Sequence, residues 1–244
     1  MEAAGMQPDP WQAAFLRRRA PRELMNCSRQ SGKSQIVAAA AVDEVMRQPG
    51  LVLVICPSER QSKLLIETTK ITYRRAGGTL YESKQSTTHL EFPNGANMWA
   101  LPSKEANVRG FSAVTLMIID EAARVPDDLY RAVRPMLAVS GGRLVCMSTP
   151  FGKRGFFHKE WTEGEGWHRV QIRADECPRI SKEFLREEKR SLPDSWFRQE
   201  YMCEFAETDG AVFAYDDVMR AMSDDVRPLF ELPATDADVD PLFQ

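Results

Sequence analysis

The chain has 244 residues, 43% of them hydrophobic and 27% charged, the composition of a globular protein long enough for one large domain with its own core. No apolar run is long enough for a membrane span, and Pro8, Asp9 and Pro10 stand where a signal peptide needs apolar residues, so we expect an intracellular protein. Five cysteines without a CxxC spacing argue against both a disulfide framework and a zinc site.

The net charge of −3 argues against a strongly basic nucleic-acid-binding protein. Acidic groups concentrate near the carboxyl terminus, and the rest of the chain is close to neutral. A neutral body is compatible with a DNA-contacting face but does not require one. The acids after Ser223 are Asp224, Asp225, Glu231, Asp236, Asp238 and Asp240.

Apolar strands and helical runs alternate in the first part of the chain. Residues 23–27 form a strand candidate, and a helix is expected over residues 33–46. Leu51–Cys56 is a continuous apolar run, typical of a strand buried on both faces. Ser58 follows as the cap of a helix that reaches about residue 75.

Short strands are expected next, at residues 79–82, 89–92 and 98–101, with Asn94 and Gly95 as a hairpin turn. Strands and helices then alternate again. The remaining predicted elements are strands at residues 114–119, 143–147 and 168–172 and helices at residues 127–139, 181–190 and 193–200.

This alternation predicts an α/β fold with a mostly parallel central sheet flanked by helices. Beyond Gly210 the pattern weakens, and Pro228, Pro233 and Pro241 are typical of a linker. We therefore predict a main domain over residues 1–210 and a small C-terminal subdomain or linker over residues 211–244.

A phosphate-binding loop is predicted between the first strand and the first helix. Residues 27–34 read CSRQSGKS and match the GxxxxGK[ST] pattern, except that Cys27, which adopts positive φ less readily than glycine, stands at the first position. In such a loop backbone N–H groups surround the phosphates, the lysine reaches the β and γ oxygens, and the serine hydroxyl binds Mg²⁺. A chance Gly-Lys-Ser is the alternative, but the placement between strand and helix favours an ATP site. The predicted nucleotide-binding residues are Ser28, Arg29, Gln30, Ser31, Gly32, Lys33 and Ser34.

Two acids, Asp120 and Glu121, follow the strand at residues 114–119. Asp120 would hold Mg²⁺, and Glu121 would orient and polarise the attacking water. Two solvated acids after a strand are common, so this pattern gains its weight from the loop upstream. Neighbouring parallel strands bring their carboxyl ends to one edge of the sheet, where acids and loop would meet.

A pair of hydroxyl residues follows the next strand. Ser148 and Thr149 precede Pro150 at the same predicted edge, where they could sense the presence of the γ-phosphate. A turn cap before proline explains the same residues, and both interpretations stay open.

Taken together, these motifs resemble the ATPase domain of phage large terminases over roughly residues 9–213. The resemblance rests on DPWQ at residues 9–12, RQSGKS at 29–34, IIDEAA at 118–123 and STP at 148–150. It implies that Ser148 and Thr149 of the last motif would couple hydrolysis to movement. It implies a RecA-like (ASCE) P-loop NTPase fold with ATP and Mg²⁺ as cofactors. It also implies ATP hydrolysis that moves double-stranded DNA into a viral procapsid, by a homo-oligomeric ring acting with a portal and a small terminase subunit in the host cytoplasm.

The resemblance implies further roles for single residues. Gln12 would recognise adenine, with Trp11 nearby, and Arg29 would stabilise charge within its own subunit. Arg109 matches an arginine finger that acts on the neighbouring subunit of a ring. From the residues alone, Arg109 could equally be a surface arginine and Gln12 a solvated residue in an N-terminal turn.

Large terminases usually continue into a nuclease domain, for which this chain is too short. We therefore expect the motor domain alone, without nuclease activity, and interpret Asp236, Asp238 and Asp240 as linker. Two other functions are less consistent with the sequence. A DEAD-like helicase fragment would need a second RecA-like domain, and the Asp120–Glu121 pair argues against a regulatory module that binds ATP without hydrolysing it.

Overall fold

Strands and helices alternate along the part of the chain that the computed structural model describes, residues 1–80, 86–103 and 110–206. These residues belong to one unit, Met1–Thr208. The strands are β1 (Arg22–Cys27), β2 (Leu51–Cys56), β3 (His89–Glu91), β4 (Asn97–Pro102), β5 (Val114–Asp120), β6 (Arg143–Ser148) and β7 (His168–Ile172). The helices are α1 (Pro10–Arg18), α2 (Lys33–Arg47), α3 (Glu59–Arg75), α4 (Asp127–Val133), α5 (Gly155–Thr162), α6 (Lys182–Ser191) and α7 (Asp194–Glu200).

The strands form one seven-stranded sheet in the order β3-β4-β2-β5-β6-β1-β7. Each neighbouring pair is parallel except β3 and β4, which pair in antiparallel fashion around the turn at Asn94 and Gly95. The predicted α/β fold with a mostly parallel sheet is therefore confirmed.

Helices cover both faces of this sheet. Because successive strand residues point to opposite faces, each central strand contributes to two cores. Met25 and Val54 pack in the core that includes α2 and α3. Their neighbours Leu24 and Leu53 pack in the second core, with Phe157 of α5. Burial on both faces explains why these strands read as continuous apolar runs.

The predicted strand bounds agree with the structure to within one residue for β1 to β7. The short strand predicted at residues 79–82 runs into residues 81–85, which lie outside the described ranges, and Thr79 and Leu80 belong to no strand. The predictions for Arg109 and for residues 211–244 also fall outside the described ranges.

The helix predicted over residues 127–139 is wrong in length, because α4 ends at Val133 and a 3-10 turn covers Arg134–Leu137. Pro135 has no N–H for the α-helical ladder, and its ring crowds the preceding turn. Two helices were missed. The helix α1 begins with Pro10, and α5 begins at Gly155, whose φ is 73°.

All five cysteines lie within the described ranges, and each is a buried free thiol. Burial raises the pKa of Cys27 and of Cys56 to about 12, so both thiols stay protonated at neutral pH. No helix in the described ranges has both the length and the apolar character needed to cross a bilayer.

Candidate nucleotide site

The carboxyl ends of β5, β6 and β1 lie side by side at one edge of the sheet. Asp120 at the end of β5 is level with Met147 of β6, and Ser148 is level with Asn26 of β1. The two acids, the hydroxyl pair and the phosphate loop therefore share this edge, as the motifs predict. The acids and the loop do not follow directly adjacent strands, however, because β6 lies between β5 and β1.

The phosphate loop explains how cysteine can occupy its first position. Cys27 is the last residue of β1 and pairs with Ile172 of β7, so its backbone is extended. The positive φ angles of the loop fall on Gln30 (58°) and Gly32 (91°). Glycine is therefore needed at position 32 and not at position 27, and α2 begins directly afterwards with Lys33.

Lys33 folds back over this loop. Its Nζ donates to the backbone oxygen of Ser28 at 3.1 Å and lies 3.5 Å from that of Cys27. The same ammonium is 3.9 Å from Oε1 of Glu121. Lys33 thus stands between the phosphate loop and the acid after β5, which is where the phosphate-binding lysine of such a loop is needed.

The two acids after β5 have different surroundings. Burial, reinforced by the negative charge of Glu121, raises the pKa of Asp120 to about 6, and Lys33 partly offsets this. A bound divalent cation would favour the ionised carboxylate. Glu121 has a φ of 51°, a conformation that costs a non-glycine residue on the order of 1 kcal/mol. Its backbone N–H donates to Oδ1 of Asp120 at 3.0 Å, which holds the strained turn.

Ser148 connects the end of β6 to this pair of acids. Its hydroxyl lies 3.4 Å from Oε2 of Glu121, to which it donates. Ser148 and Thr149 are both buried. The hydroxyl therefore contacts the acid of the neighbouring strand, a contact that a turn cap alone would not need.

Gln12 is brought to the phosphate loop by α1. It is 1% exposed, which contradicts the alternative of a solvated residue. Its Oε1 accepts from the backbone N–H of Asp9 at 3.0 Å, and its Nε2 lies 3.5 Å from the backbone oxygen of Gly32. Trp11 is half-buried, and its indole N–H has no hydrogen-bond partner among the described residues.

Arg29 projects from the loop, and its side chain is 60% exposed. Its Nε lies 3.1 Å from Oε2 of Glu200, the last residue of α7. Sequence reasoning missed Glu200, since no motif surrounds this acid and 171 positions separate it from Arg29.

Arg179 is a second residue that sequence reasoning missed. Its Nη2 donates to Oδ2 of Asp9 and to the backbone oxygen of Ser31, both at 2.7 Å. A Cβ added to Gly32 would lie 2.6 Å from this nitrogen and 2.8 Å from Nε2 of Gln12. A side chain at position 32 would displace the ends of Arg179 and Gln12, but it is the positive φ that requires glycine there. Arg179 ties the loop to the start of α1.

Oxygen ligands suited to Mg²⁺ are present at this edge. Nucleotide-bound Mg²⁺ takes few protein oxygens and completes its shell with phosphate and water. The hydroxyl of Ser34, exposed on the first turn of α2, and the carboxylate of Asp120 are ligands of this type. Within the described ranges no three His, Cys, Asp or Glu side chains cluster tightly enough to hold a metal. The Ser34 hydroxyl and the Asp120 carboxylate are groups that fit an ion shared with phosphate.

A parallel sheet with a glycine-lysine-serine loop after one strand and an acid pair two strands away defines the P-loop nucleoside triphosphatase fold. Residues 24–220 match the family described as the terminase large subunit, T4likevirus-type, N-terminal. The chain belongs to this family, which confirms the resemblance seen in the motifs.

Individual relatives agree with this assignment. The large terminase subunit of Thermus phage G20c is 26% identical over 89% of this chain and 53% of its own length. That of Escherichia phage T5 is 23% identical over 76% of this chain and 44% of its own length. The chain thus spans about half the length of the curated relatives it matches.

Solved structures show the same fold. The large terminase ATPase domain of Thermus phage P74-26 superimposes with a TM-score of 0.71 and 24% identity, covering 84% of this chain and 96% of that domain. The large terminase of another thermophilic bacteriophage, solved in complex with ATP-γ-S, gives a TM-score of 0.63 at 13% identity, covering 81% of this chain and 52% of that protein.

Proposed function

We infer that this chain is the ATP-hydrolysing motor of a phage large terminase, which drives double-stranded DNA into a viral procapsid. The observation that carries this proposal is the convergence of Lys33, Glu121 and Ser148, with contacts of 3.9 and 3.4 Å to the Glu121 carboxylate. Membership of the terminase family supports the DNA substrate. The thermophilic phage terminase solved with ATP-γ-S supports the nucleotide.

In this proposal the backbone N–H groups of the loop and the Lys33 ammonium bind the phosphates. Ser34 and Asp120 would hold Mg²⁺, which supplies positive charge to the phosphates when bound. Glu121 orients and polarises the attacking water. Ser148, through its contact with Glu121, couples the state of the γ-phosphate to the end of β6, together with Thr149.

Gln12 is proposed to recognise adenine, with Trp11 beside it. The burial of Gln12 and its contact with Gly32 support this role. Each end of its amide makes one hydrogen bond, which leaves a second N–H and a second oxygen lone pair for a base.

Two arginines are proposed to stabilise charge in the transition state. Arg29 would act within its own subunit, and Arg109 would act on the neighbouring subunit of a homo-oligomeric ring. We further propose that residues 1–210 form the motor and residues 211–244 a small C-terminal subdomain or linker. The protein would work in the host cytoplasm with the portal and the small terminase subunit.

The first experiment is the rate of phosphate release from Mg-ATP at increasing protein concentration, with Glu121→Ala as the blank. Activity per subunit that rises with concentration is expected if neighbours complete each other's sites. Arg109→Ala should then abolish the rise. A flat, nonzero activity would overturn the role of Arg109 in trans and assign charge stabilisation to Arg29.

Absence of phosphate release above the Glu121→Ala blank, with double-stranded DNA present, would argue against the motor. Nucleotide binding without hydrolysis in that assay would favour the regulatory module.

A further inference from the structure

Glu200, at the end of α7, is a buried carboxylate on which two arginines of the nucleotide edge converge. It is 2% exposed. Nε of Arg29, in the phosphate loop, lies 3.1 Å from Oε2, and Nη2 of Arg124, just after the acid pair, lies 3.6 Å from Oε1. Both arginines are much more exposed than the acid, with 60% and 35% of their side chains accessible.

The same end of α7 also contacts the loops through the backbone. The backbone N–H of Arg29 donates to the backbone oxygen of Glu200 at 2.9 Å. Oε1 of Gln199 accepts from the N–H of Gly152, in the loop after β6, at 3.3 Å. The guanidinium of Arg124 stacks over Phe151 of that loop, 4.3 Å from the ring centre. The end of α7 therefore touches the loops that follow β1, β5 and β6.

A long arginine side chain that is mostly exposed samples many rotamers, and fixing it in one of them costs conformational entropy. Arg29 is restrained at two points by a single residue, since Glu200 accepts from its backbone and pairs with its guanidinium. Glu200 itself cannot move away easily, because a buried carboxylate is costly without its cationic partners. Its Oε2 accepts no hydrogen bond from the described residues, so Arg29 pairs with it by charge and keeps donors for another anion.

We propose that Glu200 is a positioning residue that holds Arg29 in the orientation needed to face the terminal phosphate of ATP. The inference rests on the proposed ATPase function and on Arg29 acting within its own subunit. It assigns to α7 a part in that site through Arg29, which no motif in the sequence of α7 indicates.

The main test is Glu200→Gln, which keeps the shape of the side chain and removes its charge. We expect kcat to fall about tenfold to a hundredfold, because a misplaced catalytic group costs rate, with KM for ATP changed less than about twofold. Glu44→Gln is the matched control, since Glu44 is equally buried and pairs with Arg19 at 2.6 Å. Glu44 lies near the C-terminal end of α2, whereas the phosphate loop precedes the N-terminal end of this helix. The control should keep the kcat of the wild type.

A double-mutant cycle tests whether Glu200 acts through Arg29. Arg29→Ala should lower kcat, and adding Glu200→Gln should cause no further loss. Multiplicative losses, or a Glu200→Gln variant with the kcat of the wild type, would overturn the proposal. Circular dichroism will show whether Glu200→Gln folds. If it does not, Glu200→Asp is the second variant, because it keeps the charge but moves it back by one methylene. This variant should also lower kcat.

A binding measurement separates this inference from the proposed function, because it does not need hydrolysis. The affinity for Mg-ATP-γ-S relative to Mg-ADP, measured by calorimetry, should fall about tenfold in Glu200→Gln, since Arg29 contacts only the terminal phosphate in this scheme. An unchanged ratio would contradict the positioning role even in a chain that hydrolyses ATP. A chain without phosphate release but with the reduced ratio would contradict the motor and leave the positioning role standing.

Discussion

Glutamates at the amino ends of the strands (the amino edge) and at their carboxyl ends (the carboxyl edge) are paired differently. At the amino edge, Glu23 accepts from Nε of Arg18 at 3.1 Å, and Glu44 pairs with Arg19 at 2.6 Å. At the carboxyl edge, the contacts of the Glu121 carboxylate with described residues are longer, 3.4 Å to Ser148 and 3.9 Å to Lys33. Arginines thus hold Glu23 and Glu44 closely, whereas Glu121 beside the phosphate loop is loosely paired.

Positive φ angles in non-glycine residues occur at both edges, and at the amino edge they fall on Arg19 (49°) and Ala113 (56°). Gln30, Gly32 and Glu121, all at the carboxyl edge, have positive φ angles of 58°, 91° and 51°. Strain in a non-glycine residue persists only where the surrounding structure holds it, and it concentrates at functional sites. The two edges therefore differ in the pairing of particular glutamates, and the loosely paired Glu121 lies where the nucleotide would bind.

The largest effect is expected from Glu121→Gln, at the loosely paired edge. The amide keeps the volume of the side chain but cannot act as a base, so kcat for ATP should fall about a thousandfold. Calorimetric affinity for Mg-ATP-γ-S should stay within a few-fold of the wild type. A variant that hydrolyses ATP at the normal rate would remove Glu121 from the mechanism.

The next effect is expected from Lys33→Ala, which removes the ammonium between the loop and Glu121. Loss of charge-assisted contacts to phosphate should weaken Mg-ATP-γ-S binding about tenfold to a hundredfold, because each such contact is worth about 1.5–3 kcal/mol. Thermal unfolding without nucleotide should change little, since the Lys33–Glu121 distance of 3.9 Å makes a weak ion pair. A large stability loss would contradict the contrast between the edges.

A substitution at the amino edge should show the opposite pattern. Glu23→Gln leaves the Arg18 guanidinium without its charge partner, and Arg18 is only partly exposed. We expect the free energy of unfolding in urea to fall by about 1–2 kcal/mol, less than for a fully buried pair because Arg18 can reach water. The kcat for ATP should match that of the wild type, and a reduced kcat would show that the two edges are coupled.

The smallest effect is expected from Cys27→Ala, at the first position of the phosphate loop. Its extended backbone suits alanine, and loss of one buried sulfur should cost about 1 kcal/mol of unfolding free energy. The KM for ATP should stay within about twofold. A strong loss of nucleotide binding would give Cys27 a role that the geometry of the loop does not require.

The strands and the main site residues could be predicted because their signals are local. A continuous apolar run such as Leu51–Cys56 specifies a buried strand without reference to the rest of the chain. The loop around Gly32 has a fixed spacing that carries its own chemistry. The end of α4 was missed because the effect of Pro135 competes with an otherwise helical pattern.

Contacts between distant parts of the chain could not be predicted in this way. Arg179 reaches Asp9 across 170 positions, and Glu200 reaches Arg29 across 171. Exposed and buried arginines look the same in a sequence, and only tertiary packing decides which acid each one meets. The burial of Gln12 likewise depends on α1 docking beside the phosphate loop.

The burial of all five thiols has a practical consequence for watching this protein at work. Maleimide reagents attack the thiolate, and burial keeps the thiols of Cys27 and Cys56 protonated and out of reach, with pKa values of about 12. A cysteine introduced at a solvent-facing position, such as Val139, which is 84% exposed, should therefore take up a fluorophore selectively without removal of the native cysteines.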